Sequence, residues 1–426
     1  MNTTRIVTGM ACLIGAALLG SSGLLMAQAG SLDPTFGTGG IVTTSFTGFN
    51  DAIANVTAIQ SDGKILVAGQ IPNSQGLGEA GVARYNTDGS LDSSFGTAGV
   101  VTTSENVSIF GIAVLSDGKI VVGGAGFLTV DALRFNSNGS LDTTFGSNGV
   151  GSVRPFAPNA FDASSGGMAL ESDGKILVAA GSALVRFTAN GQADSSFGTD
   201  GVVPLLSAAT AIALLSNGQI LITSSFNSLV PVSSGTIARY NSNGSLDTTF
   251  ALNGQISTVG PASAIALLSG GKFIVAGSFP VSVGTPPAAN GYGVALTRYN
   301  SNGILDSTFG NNGGVVTPFA GNTDAVAFAL AIQSNGEIVA AGQAGSQAPD
   351  GPSSFALARF TANGQVDTSF GTNGTVTTAF SHNTAFVSAL AIQSDAKIVA
   401  VGNDEAISDN GQVIVDSFTL ARYLAQ

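Results

Sequence analysis

Few side chains in this 426-residue chain could do chemistry, and they narrow the choice quickly. His382 is its one histidine and Cys12 its one cysteine. A multi-histidine metal site and a cysteine nucleophile further along the chain are therefore excluded. A single histidine among small polar neighbours, as in Phe380-Ser381-His382-Asn383-Thr384, is expected to be solvated rather than catalytic. No G-x-S-x-G segment sets up a strained serine for a Ser-His-Asp arrangement. The 58 glycines fall in turns and packed strands, and no strand-to-helix phosphate loop appears. Carboxylates remain: a pair such as Asp51 and Asp324 could perform acid–base work across a shared opening.

Those residues have to be separated from the scaffold, and the scaffold is a repeat. An apolar residue, Asp, two small residues and Phe recur around Asp33, Asp92, Asp142, Asp194, Asp247, Asp306 and Asp367. A second anchor, Arg before Tyr or Phe, recurs at Arg84, Arg134, Arg186, Arg239, Arg298, Arg359 and Arg422. In six copies the Arg stands eight residues before the Asp, flanking a turn, so the two are expected to face each other as a cross-strand pair. Arg422 has no Asp after it, and Asp33 has no Arg before it. Pairing these two across the chain ends is the arithmetic of a closed ring.

One copy suffices to read the unit. Ala58-Ile59-Gln60 and Ile65-Leu66-Val67-Ala68-Gly69 flank Ser61-Asp62-Gly63-Lys64, a hairpin signature in which Gly supplies the positive φ of a tight turn. A third strand, Val82 to Tyr85, ends in Asn86-Thr87-Asp88-Gly89, and Val100 to Thr103 makes a fourth. The Asp-x-x-Phe-Gly piece is expected to form one helical turn, with Asp at its N-cap and Gly after its end. Its Phe would plug between neighbouring sheets. Four short strands per 50–61-residue copy, seven times over, predict an all-β, seven-bladed β-propeller. Its ring would be closed by the N-terminal strand Ile41 to Thr44, lying outermost in the last blade.

Segments such as LARFTANGQVDTSFGTNGTVTT and AIQSDGKILVAG closely resemble the delta-60 repeat of exported and surface proteins of bacteria. The hairpin around Ser-Asp-Gly-Lys is similar to the corresponding part of NHL-type propellers. The resemblance covers residues 31–426 and implies a propeller-like fold. It brings no established activity and no catalytic residues.

Composition bounds the setting. Residues 1–29 read as a signal peptide: Arg5, an apolar run to Met26, then Ala27-Gln28-Ala29 as the cleavage site before Gly30. The remaining residues, 30–426, are expected to be one propeller domain, secreted, periplasmic or at the cell surface, and monomeric. Without Arg5 there are 13 basic against 26 acidic side chains, a balance that repels phosphate backbones and argues against nucleic-acid binding. Past the signal no apolar run is long enough to span a bilayer.

Subtracting the repeat isolates the rest. Seven basic residues are the repeated Arg, and Lys64, Lys119, Lys175, Lys272 and Lys397 share one hairpin position, which leaves Arg154. Among the acids, seven are the repeated Asp and eight sit in or beside repeated turns. The eleven left over are Asp51, Glu79, Glu105, Asp131, Asp162, Asp324, Asp350, Asp404, Glu405, Asp409 and Asp416. All are expected near the face that carries the second-to-third-strand loops and the blade crossings, both of which vary in length. Loops on a rigid scaffold are where binding usually resides. Asp51, Asp162, Asp324, His382 and Arg154 are thus the candidate ligand-binding residues, with a protein or glycan as partner. No cofactor is expected. Calcium near Asp404-Glu405 and Asp409-Asn410-Gly411 is the exception considered, although no spacing there matches a complete oxygen-ligand loop. The alternatives to a binding module are a hydrolase or lyase with carboxylates at the channel mouth, and a structural module of the cell envelope.

Overall fold

The computed structural model describes residues 28–46, 52–72, 78–155, 165–225, 234–258, 260–283, 289–319, 324–345, 352–382, 384–407 and 413–426. It contains seven four-stranded antiparallel sheets, each with its strands in sequence order apart from the last. Blade one runs, from the axis outward, through Ile53–Ile59, Ile65–Pro72, Gly78–Tyr85 and Val100–Thr102. Blades two to six repeat this order over residues 108–153, 166–204, 209–258, 264–317 and 324–378. Blade seven takes Thr384–Ile392, Ile398–Ile407 and Val413–Tyr423 from the C-terminal end and Ile41–Ser45 from the N-terminal end. Ile41 to Ser45 pair antiparallel with Ala421 to Ser417, which closes the ring as a clasp. No helix among the described residues is long and apolar enough to cross a membrane.

Local chemistry accounts for the blade. The second strands are apolar on both faces because each is sandwiched between adjacent sheets; Ile65 to Ala68 and Ile176 to Ala180 are all buried. The hairpin before them is a three-residue loop: Gln60 N–H bonds Lys64 O at 2.8 Å, and Gly63 adopts φ 84°. The Asp62 carboxylate accepts the Lys64 amide at 3.1 Å and fixes the turn. Ala396 takes the same conformation in blade seven at φ 67°, where an alanine is strained.

The Asp-x-x-Phe-Gly segment is a lone turn and does not extend into a helix. Phe95 N–H bonds Asp92 O at 3.0 Å, while the Asp92 carboxylate accepts the amide and hydroxyl of Ser94. Gly96 then donates to Asn138 of the next blade instead of back along its own chain, so the turn does not wind on into a helix, and Gly99 N–H closes a separate turn onto Phe95 O at 2.9 Å. The buried phenylalanine of each copy does wedge between sheets. Phe95 packs with Leu66 and Val82 of blade one and with Ile120 and Leu133 of blade two. Phe36 does the same between blades seven and one.

Several expected loops are strands. In blade five the second and third strands are long, Phe273–Val283 pairing with Ala289–Tyr299 as far as Val283 opposite Ala289. In blade seven the pairing of the second and third strands likewise runs on to Ile407 opposite Val413. The variable face therefore carries raised β-hairpins.

Candidate functional site

The two faces of the ring differ in how their charges are used. On the face of the repeated turns, every Arg Nε lies 2.7–2.9 Å from an Oδ2 of its Asp. Arg422 reaches Asp33 across 389 positions of sequence. Each guanidinium carbon also stands 4.4–4.7 Å above the ring of its repeat Phe, as for Arg84 over Phe95. A remaining N–H of each Arg reaches a backbone carbonyl in the next blade: Ser137, Ala189, Ser242, Ser301, Ala362, Ala425 and, for Arg422, Thr87. One side chain thus joins a turn, a wedge and the neighbouring sheet.

The hairpin lysines belong to the same network, a role the sequence marked only through their shared position. Lys64, Lys119, Lys272 and Lys397 lie 2.7–3.2 Å from Asp92, Asp142, Asp306 and Asp33, and Lys175 is 3.7 Å from Asp194. In blade four Gln219 replaces Lys and donates to Asp247 at 2.8 Å. In blade six Glu337 stands there and turns to Arg359, 3.3 Å away. Burial raises the Asp33 carboxyl, but bonds from Thr35, Lys397 and Arg422 outweigh it and hold the group down to about 2. The Ser94 hydroxyl and amide, with Lys64 and Arg84, lower Asp92 further. These carboxylates stay ionised and spoken for, so they are poor candidates for ligand chemistry.

On the variable face the five candidates fare differently. Asp51 and Asp162 lie outside the described residues. Asp324 opens the innermost strand of blade six and accepts the Tyr292 amide of blade five at 2.7 Å, a bond that joins two blades. Arg154 is exposed just beyond the outer strand Val150–Val153 of blade two. His382 sits immediately before the innermost strand of blade seven. Its Nδ1 is 3.0 Å from Oδ2 of Asp404, a carboxylate that is 3% exposed. The same carboxylate accepts the Ser381 hydroxyl at 3.0 Å and the His382 amide at 3.2 Å. His382 is thus an oriented imidazole, its ring partly open to solvent. Ser381 bonds the acid and not the imidazole, so this is no Ser-His-Asp relay.

Asp404 was legible as an acid beside Glu405 but not as the partner of His382, since 22 residues separate them. Asp131 was likewise one of eleven. It is 5% exposed, and burial raises its carboxyl despite bonds from Ser152 and Thr129; Glu105 nearby adds repulsion. The signal available was its position inside the apolar strand Thr-Val-Asp-Ala-Leu-Arg-Phe. Burial also raises Glu405. No group of three or more metal-binding side chains occurs among the described residues.

The axial channel is a cavity of about 380 Å³ that opens among the innermost strands. Asn55, Phe110, Thr210, Phe328 and Ser388 line it, each at a β-bulge that interrupts the pairing of its strand with the next. A bulge turns an extra side chain toward the axis. None of the residues described as lining the cavity is ionisable. The carboxylates that the hydrolase or lyase alternative places at the channel mouth are not among these lining residues.

Ring, repeat and closure define a seven-bladed β-propeller of the propeller-repeat kind. Residues 60–95, 115–145, 171–197, 215–250 and 333–370 match a family described as "Domain of unknown function (DUF5122) beta-propeller". No curated protein matches the chain. Among solved structures it is similar to the virginiamycin B lyase of Staphylococcus aureus at 10% identity and a TM-score of 0.50, covering 90% of this chain and 98% of that one. It also matches the extracellular domain of a one component system from B. thetaiotaomicron, at 12% identity and a TM-score of 0.43. That match covers 88% of this chain, which spans 39% of the length of the other. At such identities the likeness is one of fold.

Proposed function

We propose that the chain is an exported binding module, built from delta-60-type repeats, whose variable face engages a cationic partner. The observation that carries this reading is the unequal use of charge. Each repeated aspartate of the ladder face has its own Arg, whereas the described acids of the variable face (Glu79, Glu105, Asp131, Asp324, Asp404 and Glu405) share that face with Arg154 and His382, the latter bonded to Asp404. A field of one sign on a rigid ring attracts ligands of the other sign and speeds their encounter. Raised hairpins on blades five and seven supply relief for recognition. The test uses an oligolysine peptide titrated at low and high salt. Glu105→Gln with Glu405→Gln should weaken binding at least ~10-fold, a loss of about 1.4 kcal/mol. Asp62→Asn with Asp117→Asn on the ladder face should leave it unchanged. Equal losses from both pairs would mean nonspecific attraction. Calcium belongs to this reading only if titration gives heat or a thermal shift.

A second reading, a hydrolase or lyase, is favoured by one observation, the imidazole that Asp404 holds in place. A neutral imidazole so oriented can accept a proton from a bound substrate. His382→Ala abolishing an activity found by substrate screening, with the melting temperature unchanged, would establish it.

A further inference from the structure

The seventh copy of the turn between third and fourth strands is assembled from two pieces of chain, and its upstream piece bears on where the leader is removed. At six junctions the turn of one blade offers a carbonyl to the amide after the repeat Phe of the blade before. Asp88 accepts from Gly37, Asn138 from Gly96, Asn190 from Gly146, Asn243 from Gly198, Asn302 from Ala251 and Asn363 from Gly310, all at 2.7–3.0 Å. At the seventh junction Gly371 donates to Ala29, at 2.8 Å. Ala29 is 8% exposed and packs in one apolar cluster with Phe370 and Tyr423. Gln28 adds to the joint from both its ends. Its side-chain amide donates to Gly371 O at 2.6 Å, and its carbonyl accepts the amide and hydroxyl of Ser31. Across the gap Gly30 donates to Leu424 O at 2.7 Å and Leu424 to Ser31 O at 2.9 Å. Leu424-Ala425 and Ala29-Gly30-Ser31 therefore stand in for Asn86-Thr87 and Asp88-Gly89-Ser90 of blade one.

We propose that the leader is cut between Ala27 and Gln28, so that the exported chain keeps Gln28 and Ala29 as parts of blade seven. This rests on the export reading above. Two bonds after the apolar run have alanine on the acyl side: the one after Ala29, with Ala27 two places before, and the one after Ala27, with Leu25 two places before. The first of these is the site expected from sequence. Cutting there would discard the carbonyl that Gly371 bonds and the Gln28 amide, leaving one of seven equivalent junctions short of its partners. Cutting after Ala27 preserves all seven. The step is hydrolysis by the signal peptidase of the exporting cell: water adds across the Ala27–Gln28 amide, leaving a carboxylate on Ala27 and an amine on Gln28.

The full-length gene product, expressed in an exporting bacterium, is recovered and read by intact mass and N-terminal sequencing. A first residue of Gln28, free or cyclised with loss of ammonia, is expected. A first residue of Gly30, or any other, overturns the proposal while leaving export intact. An uncut chain retained in the cell overturns the proposal and the export reading together. Independently, chains released from a cleavable fusion to begin at Gln28 or at Gly30 are compared by thermal unfolding. The longer chain should melt ~3 °C or more higher, as the loss of a few hydrogen bonds requires. Equal melting temperatures would show that the two residues do no work in the fold and would overturn the proposal.

Discussion

Blade two holds two buried aspartates, and they behave in opposite ways. Asp142, on the ladder face, meets Arg134, Lys119 and the Thr144 hydroxyl, and these contacts lower its carboxyl. Asp131, on the variable face, is raised by burial, and its contacts are two hydroxyls and a nearby acid. The contrast extends to the whole ring. One face spends its charges on holding blades together, through geometry repeated seven times. The other holds its acids in settings that differ from blade to blade: Asp404 against His382, Asp131 among hydroxyls, Asp324 on the Tyr292 amide.

Experiments can break this contrast at several points. The largest effect is expected at the clasp. Deleting residues 31–46 removes the outer strand of blade seven together with Asp33 and Phe36, and should lower the melting temperature by ~10 °C or more and expose a pairing edge. An unchanged melting temperature with a monomeric protein would refute ring closure. Next, Phe95→Ala empties a wedge between two sheets and removes the ring under Arg84, which should cost about 4 kcal/mol in denaturant unfolding. Asp142→Asn leaves Arg134 and Lys119 facing each other without a carboxylate, for an expected loss of about 3 kcal/mol at neutral pH.

Acid should dissolve the same distinction. The ladder aspartates have folded values below their unfolded ones, so their contribution is complete above pH ~4 and is lost as pH falls toward 2, the value of Asp33. Asp131 and Glu405 are shifted the other way, so their cost builds as pH rises from the ordinary carboxylate range and is complete above their raised values. The smallest effect follows: Asp131→Asn should stabilise the protein at neutral pH by less than about 1 kcal/mol, and the gain should vanish in acid. Destabilisation at neutral pH would show that Asp131 is needed as a carboxylate by the fold itself.

Much of the ring was legible because it is periodic. The spacing of Arg84 and Asp92, written six times and split once between Arg422 and Asp33, carried blade number and closure together. Repetition also hid things. The stacking of each Arg on its Phe depends on side-chain direction across a turn, which spacing alone does not show. Lys64 and its equivalents were visible as a shared position, yet their bonds to Asp require the first hairpin and the third-strand turn to lie side by side. On the variable face nothing repeats, so Asp404 and His382 came together only in the folded sheet. The hairpin from Phe273 to Tyr299 was masked by Pro280, a residue that usually argues against a strand.

The split turn of blade seven also fixes a direction in space. Residues 28–31 and 424–425 meet on the ladder face, beside the turns of blades six and one. Anything fused or tethered at either end is attached from that side. A propeller hung from such a point presents its hairpins, its acids and His382 outward, so that display is set by the same joint that locks the ring.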